Sequence, residues 1–437
     1  MESLLPVSAL RRFACAILAM LALSATWASG ANLERDPAAV FYIKADRLLD
    51  VRTGRFIARP VIGIRGEFIA AAASDLPIPE GARVLDLGKA TLLPGLIDLH
   101  VHLGGGSSGA QSPARGVLHS ARLARNGLDA GFTTLRSMGG GGYVGVALRD
   151  AIAAGDIVGP RIFDAGALLA VTGGHCSGPR VYQPNAVPGE GVADSAEGFR
   201  QKTRQVIRYG ADFIKTCITG GFVSGTNPNT TQFFEDELRA IVETAHRNGK
   251  RVTVHAHGAD GVLLAARVGV DSIEHGTLID AEGIRLLRER KIFLIPTVAT
   301  MGTALERARQ VGASAGNLRA LEAARDAQRE HLARAVAAGV VIGFGSDFQQ
   351  DGSNAREFSA LLSIGATPLQ AIQAATTNAA RILGQETLLG AVEPGKYADI
   401  IAVDGDPLEN IRTLERVRAV IKGGVIHRND YVISPSR

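Results

Sequence analysis

The stretch Leu93-Pro94-Gly95-Leu96-Ile97-Asp98-Leu99-His100-Val101-His102 is an apolar run that ends in two histidines separated by one residue. Its length and composition are those of a buried β-strand. Side chains two residues apart on a strand point to the same face, so both imidazoles could bind one metal ion. Alone the motif is weak, because histidine pairs also occur on half-buried strands. Its meaning depends on what the other strands carry.

Short apolar segments alternate with amphipathic helices from Leu92 to about Leu389, which is typical of a parallel α/β fold. Glycine is abundant, with 52 of 437 residues, and this suits many tight loops between short buried strands. Eight candidate strands are present, and eight is the number that closes a (β/α)8 TIM barrel. They cover residues 95–102, 133–137, 161–169, 212–216, 251–257, 270–275, 293–296 and 341–347.

Both flanks of this region have β character. Strands are predicted at residues 41–46, 61–65, 68–72 and 83–86, and again at 399–403 and 419–421. We therefore expect a small β-sandwich domain built from residues 36–91 and 391–432, beside a barrel formed by residues 92–390. Residues 368–383 are predicted as the last barrel helix. Residues 304–338, rich in alanine and arginine, are predicted as an exposed amphipathic helical excursion.

The first 30 residues have the layout of a secretory signal peptide: Arg11 and Arg12, then an apolar run, then small residues. This predicts an exported protein, periplasmic or secreted, with no stable membrane span after processing. An N-terminal anchor and a twin-arginine route are alternatives. The mature chain keeps two cysteines, Cys176 and Cys217, which either pair or are two buried apolar side chains. The net charge of +4 is spread along the chain, so no nucleic-acid partner is expected.

More ligand-type residues lie at the ends of the later predicted strands. Lys215 lies in Phe213-Ile214-Lys215-Thr216, a second His-X-His pair is formed by His255 and His257, and His275 and Asp347 each end a strand. In a barrel the active site is assembled at the carboxyl ends of the strands. These residues should therefore meet at one mouth. An ion pair is the alternative role for Lys215, because an unpaired buried charge is costly.

Taken together, these motifs resemble the amidohydrolase superfamily of metal-dependent hydrolases. The resemblance covers essentially the whole mature chain and includes Gly345-Ser346-Asp347 and the tail Val392-Glu393-Pro394-Gly395-Lys396-Tyr397-Ala398-Asp399. It implies a (β/α)8 barrel, a flanking β-sandwich and a metal-activated water.

The resemblance also implies a ligand set for two divalent metal ions. His100, His102 and Asp347 would hold one ion and His255 and His275 the other, with Lys215 between them as N6-carboxylysine, its carbamate derived from carbon dioxide. Imidazole and carboxylate ligands accept zinc, manganese, iron or cobalt, and zinc is the metal expected first. A hydroxide shared by the two cations would attack the scissile carbonyl, and Asp347 would pass its proton to the leaving amine.

Several further residues are candidates for substrate contacts. His175 follows Thr172-Gly173-Gly174 and is expected to contact the substrate carbonyl or to stabilise its loop. His257 is a substrate or supporting residue, although strand alternation leaves open which histidine of its pair binds metal. Backbone at Gly221, with Arg180, Tyr182 and Ser224 nearby, could bind a substrate carboxylate. His331 and the other helical histidines are expected to be surface or packing residues.

The Thr-Gly-Gly-His, Val-His-Ala-His-Gly and Ile-Glu-His-Gly-Thr stretches resemble the branch of Xaa-Pro and related dipeptidases, some of which cleave ochratoxin-like amides. This implies hydrolysis of the amide to a C-terminal amino acid in dipeptides or N-acyl amino acids. The alternatives are a lactone or carbamate hydrolase, a one-metal deaminase or cyclic-amidine hydrolase, and a non-catalytic binding protein. Lys215 argues against the one-metal enzymes. Homo-oligomer formation is left open.

Overall fold

The computed structural model of the protein describes residues 40–104, 112–178, 189–222, 226–347 and 353–431. The signal peptide predicted for residues 1–30 lies outside these ranges, and its processing and the expected export stay predictions. Across the described ranges, no helix combines the length and the apolar character needed to cross a bilayer.

The described chain begins with seven short strands. They are β1 (Val40–Lys44), β2 (Arg47–Asp50), β3 (Arg55–Ala58), β4 (Pro60–Arg65), β5 (Phe68–Ser74), β6 (Val84–Asp86) and β7 (Thr91–Pro94). The sequence predicted β1, β4, β5 and β6. It missed β2, β3 and β7, because four residues are too few to show a clear alternation of apolar and polar side chains.

The chain then alternates between strands and helices. In order, these are β8 (Leu96–Val101), α1 (Pro113–Asp129), β9 (Phe132–Ser137), α2 (Val144–Ala154), β10 (Arg161–Asp164), α3 (Ala196–Arg208), β11 (Ile214–Cys217), α4 (Glu235–Arg247), β12 (Val252–Ala256), α5 (Ala259–Val268), β13 (Ser272–His275), α6 (Ala281–Arg290), β14 (Phe293–Ile295), α7 (Ala299–Gln310), α8 (Ala315–Ala337), α9 (Arg356–Ser363), α10 (Pro368–Ala374) and α11 (Thr377–Leu383). Three strands close the described chain, β15 (Ile400–Val403), β16 (Ala419–Lys422) and β17 (Val425–Asn429).

Both ends of the described chain contribute to one six-stranded sheet with the order β17-β16-β15-β7-β2-β3. A second sheet has the order β5-β4-β1-β6. The two sheets share an apolar core, to which Ile43 and Ile62 contribute from one sheet and Leu92, Ile400 and Ile421 from the other. Strand β7 passes directly into β8 through Gly95, so this core is continuous in sequence with the strand that carries the His-X-His pair.

Strands β8 to β14 are parallel and form the sheets β10-β9-β8 and β11-β12-β13-β14. The segments between them are also bonded. Leu169 pairs with Thr216, Leu294 pairs with Ile342, and the Leu99 N–H donates to the Phe344 carbonyl at 2.8 Å. All carboxyl ends of these segments therefore lie on one side of the α/β layer.

The eighth predicted strand, residues 341–347, is wrong as a regular strand, since it makes only an isolated bridge at Ile342 and single hydrogen bonds. Its glycines explain the irregular path. A side chain at Gly345 would collide with Ile295 and His100, and one at Gly343 would collide with Leu99 and Ile382. The backbone thus comes closer to β8 and β14 than a regular strand with side chains allows. Similarly, β10 ends at Asp164 rather than at residue 169.

Two helical predictions also need correction. Residues 368–383 form two helices, α10 and α11, rather than one. The excursion at residues 304–338 is a pair of helices, α7 and α8, which are separated by a turn with Gly312 at φ +71°. It is not wholly exposed, because Leu305, Gln328 and Leu332 are buried. The buried stripe at Gln328, Leu332 and Ala335 follows helical spacing, which is how α8 packs on the parallel layer.

Candidate active site

All predicted site residues that the structure describes line one cavity of about 290 Å³ at the carboxyl ends of the parallel strands. Arg180, Tyr182 and Ser224 lie outside the described residues. The cavity thus brings together side chains that are up to 247 positions apart in sequence. The predicted residues that line it are His100, His102, His175, Lys215, Gly221, His255, His257, His275 and Asp347.

Two groups of imidazole and carboxylate atoms in this cavity are spaced for metal binding. One atom each from His100, His275 and Asp347 lie within 4.8 Å of one another, and so do one atom each from His255, His257 and His275. His275 is common to both groups, so the two sets adjoin. Imidazole nitrogens with a carboxylate oxygen are a normal donor set for zinc and similar cations. The residues present therefore fit a metal site.

Asp347 lies close to both histidines of the first pair. Its Oδ1 is 3.3 Å from His100 Nε2 and 3.1 Å from His102 Nε2. The His102 side chain is 43% exposed, whereas His100 is buried. Burial raises the pKa of Asp347, but the adjacent His100 and His102 outweigh it and hold the pKa well below the usual range. The carboxylate is therefore anionic, as a metal ligand or a proton acceptor must be.

The backbone is strained at several residues of the cavity. Eight residues other than glycine have positive φ in the described chain, and four of them line this cavity: Cys176, His275, Thr297 and Asp347. Each such conformation costs about 1–3 kcal/mol and tends to occur at functional sites. The strain is held by specific contacts. The Asp347 N–H donates to the His100 carbonyl at 2.8 Å, and His275 Nδ1 lies 2.7 Å from Thr297 Oγ1.

Glu274, to which the sequence analysis assigned no role, orients the ring of His100 through a hydrogen bond. Its Oε2 lies 2.7 Å from His100 Nδ1, and its Oε1 accepts from Arg136 at 2.6 Å and from Thr253 at 2.5 Å. Burial raises the pKa of Glu274, but Arg136 and His100 outweigh it and lower the pKa to about 2. An anionic Glu274 accepts the Nδ1 proton of His100 and so leaves Nε2 directed at Asp347. This is the usual support for a metal-binding imidazole.

Asp98 joins the two segments that carry His100 and Asp347. Its carboxylate accepts from the Ser346 hydroxyl at 2.6 Å, from the Asn354 side chain at 2.8 Å and from the His100 N–H at 3.1 Å. All four residues are buried. Because Ser346 immediately precedes Asp347, this network fixes the separation of His100 and Asp347. The sequence showed Asp98 inside an apolar strand, which was an available signal for a buried polar role.

Three histidines of the second group are buried and neutral. Burial, reinforced by the neighbouring histidines, holds the pKa of His255 and His275 well below normal. Burial and His175 lower the pKa of His257 to about 3. Their other contacts orient the rings, with His257 Nδ1 2.7 Å from Thr277 Oγ1 and His255 Nε2 3.1 Å from the Gly220 carbonyl. Neutral imidazole is the form that binds a metal cation.

Lys215 is 2% exposed and lies among these histidines. Within the described ranges, its ammonium group has no hydrogen bond or ion pair, so the alternative of a structural ion pair has no support there. Burial lowers its pKa to about 8, although Glu274 and Asp347 act in the opposite direction. A substantial fraction of the amine is therefore neutral near physiological pH.

A disulfide bond joins Cys176 to Cys217, which answers the question left open by the sequence. Cys217 ends β11, two residues after Lys215, and Cys176 follows His175. The bond thus ties the loop that carries His175 to the strand that carries Lys215. The His175 ring lies 4.2 Å from the His255 ring, and the His175 N–H donates to Gln232 Oε1 at 2.9 Å.

Five further residues that line the cavity, called the wall below, were not selected by the sequence analysis. Apolar side chains dominate this wall, and one buried amide, Gln328, lies among them. The signal that could have revealed Gln328 was a polar residue in the apolar stripe of a helix. These wall residues are Leu168, Phe222, Thr300, Met301 and Gln328.

Comparisons with known proteins identify the family of this chain. The amidohydrolase family model matches residues 91–426. Ochratoxinase from Aspergillus niger is 33% identical over 439 aligned residues, covering 91% of this chain and 90% of that protein.

Two solved structures are also similar. A Xaa-Pro dipeptidase with methionine bound in its active site has 34% identity and a TM-score of 0.82, covering 90% of this chain and 100% of the dipeptidase. A prolidase complexed with N-methylphosphonate-L-proline has 30% identity and a TM-score of 0.81, again covering 90% of this chain and 100% of the prolidase. These neighbours imply a TIM-barrel-like α/β fold. The chain is therefore a hydrolase that belongs to the amidohydrolase family, in the branch that includes ochratoxinase.

Proposed function

We propose that this protein cleaves the amide bond to the C-terminal amino acid in dipeptides or N-acyl amino acids, with two divalent metal ions. The observation that carries the proposal is a buried lysine that forms no ion pair within the described chain, in a cavity lined by histidines and one carboxylate. A lysine in this setting is costly unless it is modified or bound. We also propose that the parallel segments form a closed (β/α)8 barrel with a flanking β-sandwich.

Lys215 fits the role of a carboxylated bridging ligand. Its neutral amine would add to carbon dioxide and release a proton, which replaces a cationic side chain by an anionic carbamate with two oxygens. His100, His102 and Asp347 would hold one cation and His255 and His275 the other, with zinc expected. His257 lies within the same spacing and is a further candidate ligand or substrate contact. Bound divalent cations would supply Lewis acidity, which lowers the pKa of water and polarises a carbonyl.

The protein groups then divide the remaining tasks. Asp347 Oδ1, anionic and beside both His100 and His102, accepts the proton of the attacking water and returns it to the leaving amine nitrogen. His257, a neutral imidazole held through Nδ1 by Thr277, is placed to donate a hydrogen bond from Nε2 to the substrate carbonyl. His175 lines the same cavity, with its ring 4.2 Å from that of His255.

The names of the relatives support the substrate class. One is a Xaa-Pro dipeptidase, one is a prolidase complexed with N-methylphosphonate-L-proline, and ochratoxinase is related over most of both chains. The cavity of about 290 Å³ suits a small molecule rather than a polypeptide. The Cys176–Cys217 disulfide supports export to an oxidising compartment, periplasmic or extracellular.

The test is mass spectrometry of products after the metal-loaded protein is incubated with dipeptides and N-acyl amino acids. We expect release of the free C-terminal amino acid, loss of activity with a chelator, and recovery on adding zinc. The variant Asp347→Asn should be inactive, and the matched variant Asp326→Asn, at an exposed position on α8, should be active. Absence of cleavage by the metal-loaded protein across the library would refute the amide assignment and favour lactone or carbamate substrates.

A further inference from the structure

The cavity is lined by two chemically different sets of residues. One set comprises the histidines, Lys215 and Asp347, and the other is the wall, which includes Leu168, Phe222 and Met301. Among the described residues that line the cavity, Lys215 and Asp347 are the charged ones besides the histidines, and both belong to the first set. The described part of the wall is therefore neutral. A charged substrate group that lies against the described wall therefore meets no opposite charge there.

Gln328 is the polar exception on that wall. It lies on α8, its side chain is 2% exposed, and its Oε1 has no hydrogen-bond partner among the described residues. A buried amide oxygen left unpaired is unfavourable, so a ligand group that donates to it would gain binding energy. Because the two ends of an amide exchange by rotation, the same side chain could also donate to an acceptor.

The backbone at Gln328 is held firmly. One turn later, His331 Nδ1 lies 2.7 Å from the Ile279 carbonyl, and Leu332 is fully buried. Arg309 donates to Glu322 at 2.7 Å and so links α7 to α8. Met301 of α7 lies on the same cavity wall. The helix pair thus presents one amide in an apolar frame at a fixed place, which is the arrangement of a specificity pocket.

We propose that Gln328 is a specificity-determining residue that hydrogen bonds to an uncharged polar side chain of the substrate lying against α7 and α8. Met301, on the adjoining helix α7, contacts the apolar part of the same side chain. The inference rests on the proposed dipeptidase function. It names the substrate class more narrowly, because dipeptides with a glutamine-like side chain should be better substrates than those with a cationic one.

The test uses Gln328→Met, which keeps length and removes hydrogen bonding, and Gln328→Glu, which keeps shape and adds charge. The same two changes at Gln310, an exposed glutamine of α7, are the matched controls. Values of kcat/KM are measured with metal-loaded enzyme for Ala-Gln, Ala-Met and Ala-Lys and for Gln-Ala, Met-Ala and Lys-Ala. Varying both positions shows which residue of the dipeptide faces α8.

At one of the two positions, Gln328→Met should lower the Gln-to-Met ratio of kcat/KM about tenfold, and Gln328→Glu should raise the Lys-to-Met ratio at least tenfold. The Gln310 variants should leave both ratios unchanged. The assignment is overturned if either ratio stays within twofold of its wild-type value at both positions. If wild type cleaves none of the dipeptides, the proposed function fails, and the same ratios are then measured as dissociation constants by titration calorimetry. Absence of binding, or unchanged affinity ratios, would then overturn the role of Gln328 as well.

Discussion

The substitution Glu274→Gln should weaken the protein far more than an ordinary charge removal. The side chain keeps its shape but loses its charge, and Arg136 is left as a buried cation that is only 4% exposed. The substitution also replaces one carboxylate oxygen by an N–H₂ group, which cannot accept a hydrogen bond from Arg136, Thr253 or His100. The change therefore breaks a buried ion pair and leaves one donor facing another.

The expected size follows from burial. Removing one partner of a fully buried pair costs about 3–5 kcal/mol, because the remaining charge is uncompensated. The matched control is Glu235→Gln on α4, where the pair with Arg239 is half exposed and the loss should stay below about 1 kcal/mol. At about 2 °C per kcal/mol for a large domain, Glu274→Gln should lower the melting temperature by about 6–10 °C.

The assay is thermal and urea unfolding of metal-free protein, so that metal binding does not contribute to the difference. A second measurement is zinc affinity by competition with a chelator, which should fall about 10- to 100-fold because His100 loses its Nδ1 acceptor. The double variant Arg136→Met with Glu274→Gln should recover part of the stability, since it removes the unpaired charge. A stability loss below 1 kcal/mol with unchanged zinc affinity would refute the role given to Glu274.

Three further predictions concern the same cavity. Asp347→Asn should lower kcat about 10²- to 10⁴-fold in protein whose metal content equals that of wild type, as measured by elemental analysis; near-normal turnover would contradict its role as proton acceptor. Because the pKa of Lys215 is lowered to about 8, the neutral fraction should rise from about a tenth at pH 7 to about nine-tenths at pH 9. Carbamate formation from ¹³C-bicarbonate and zinc should therefore become faster over that range, and a rate independent of pH would contradict the lowered pKa. The stability of the metal-free protein should rise between pH 8 and the unfolded pKa near 10.5, because the unfolded state binds more protons there. The Cys176–Cys217 disulfide closes a loop spanning 41 positions, so its reduction should lower the free energy of unfolding by up to about 4 kcal/mol and raise KM by loosening the loop that carries His175. Thiol titration before and after reduction checks the bond. An unchanged KM in fully reduced protein would refute the link to the site.

The residues that sequence reasoning found share a position that can be read locally. His100, Lys215, His255 and Asp347 each lie at or near the end of an apolar segment, and the carboxyl ends of parallel strands converge. Alternating strands and helices were sufficient to predict that convergence. Strands β2 and β3 form a short hairpin of four residues each, which is too few to show a clear alternation, whereas β7 pairs with β15 from the other end of the chain.

Gln328 was missed for a related reason. Residues 304–338 have the charge pattern of a solvated helix, and helical spacing alone does not say which face meets a cavity. Only the packing of α8 through Leu332 and Ala335 places Gln328 on the wall. Arg136 was equally hidden, since an arginine inside β9 has no visible partner until β13 is brought beside it in space.

Glu274 was missed although it adjoins a predicted ligand, and the cause is the geometry of strand β13. Neighbouring residues of a regular strand point to opposite faces, so a ligand at His275 implies that Glu274 points away from the site. His275, the last residue of β13, instead adopts φ +73°, which turns its side chain into the cavity. Glu274 can then face the same interior and reach His100 Nδ1 at 2.7 Å. A positive φ at a residue other than glycine cannot be predicted from the spacing of apolar residues in the sequence. Here it allows two consecutive residues, Glu274 and His275, to face the same site. If that account is right, His275→Gly, which removes the strain but also the imidazole, should retain the Glu274–Arg136 pair and lose zinc, whereas Glu274→Gln should lose stability as well.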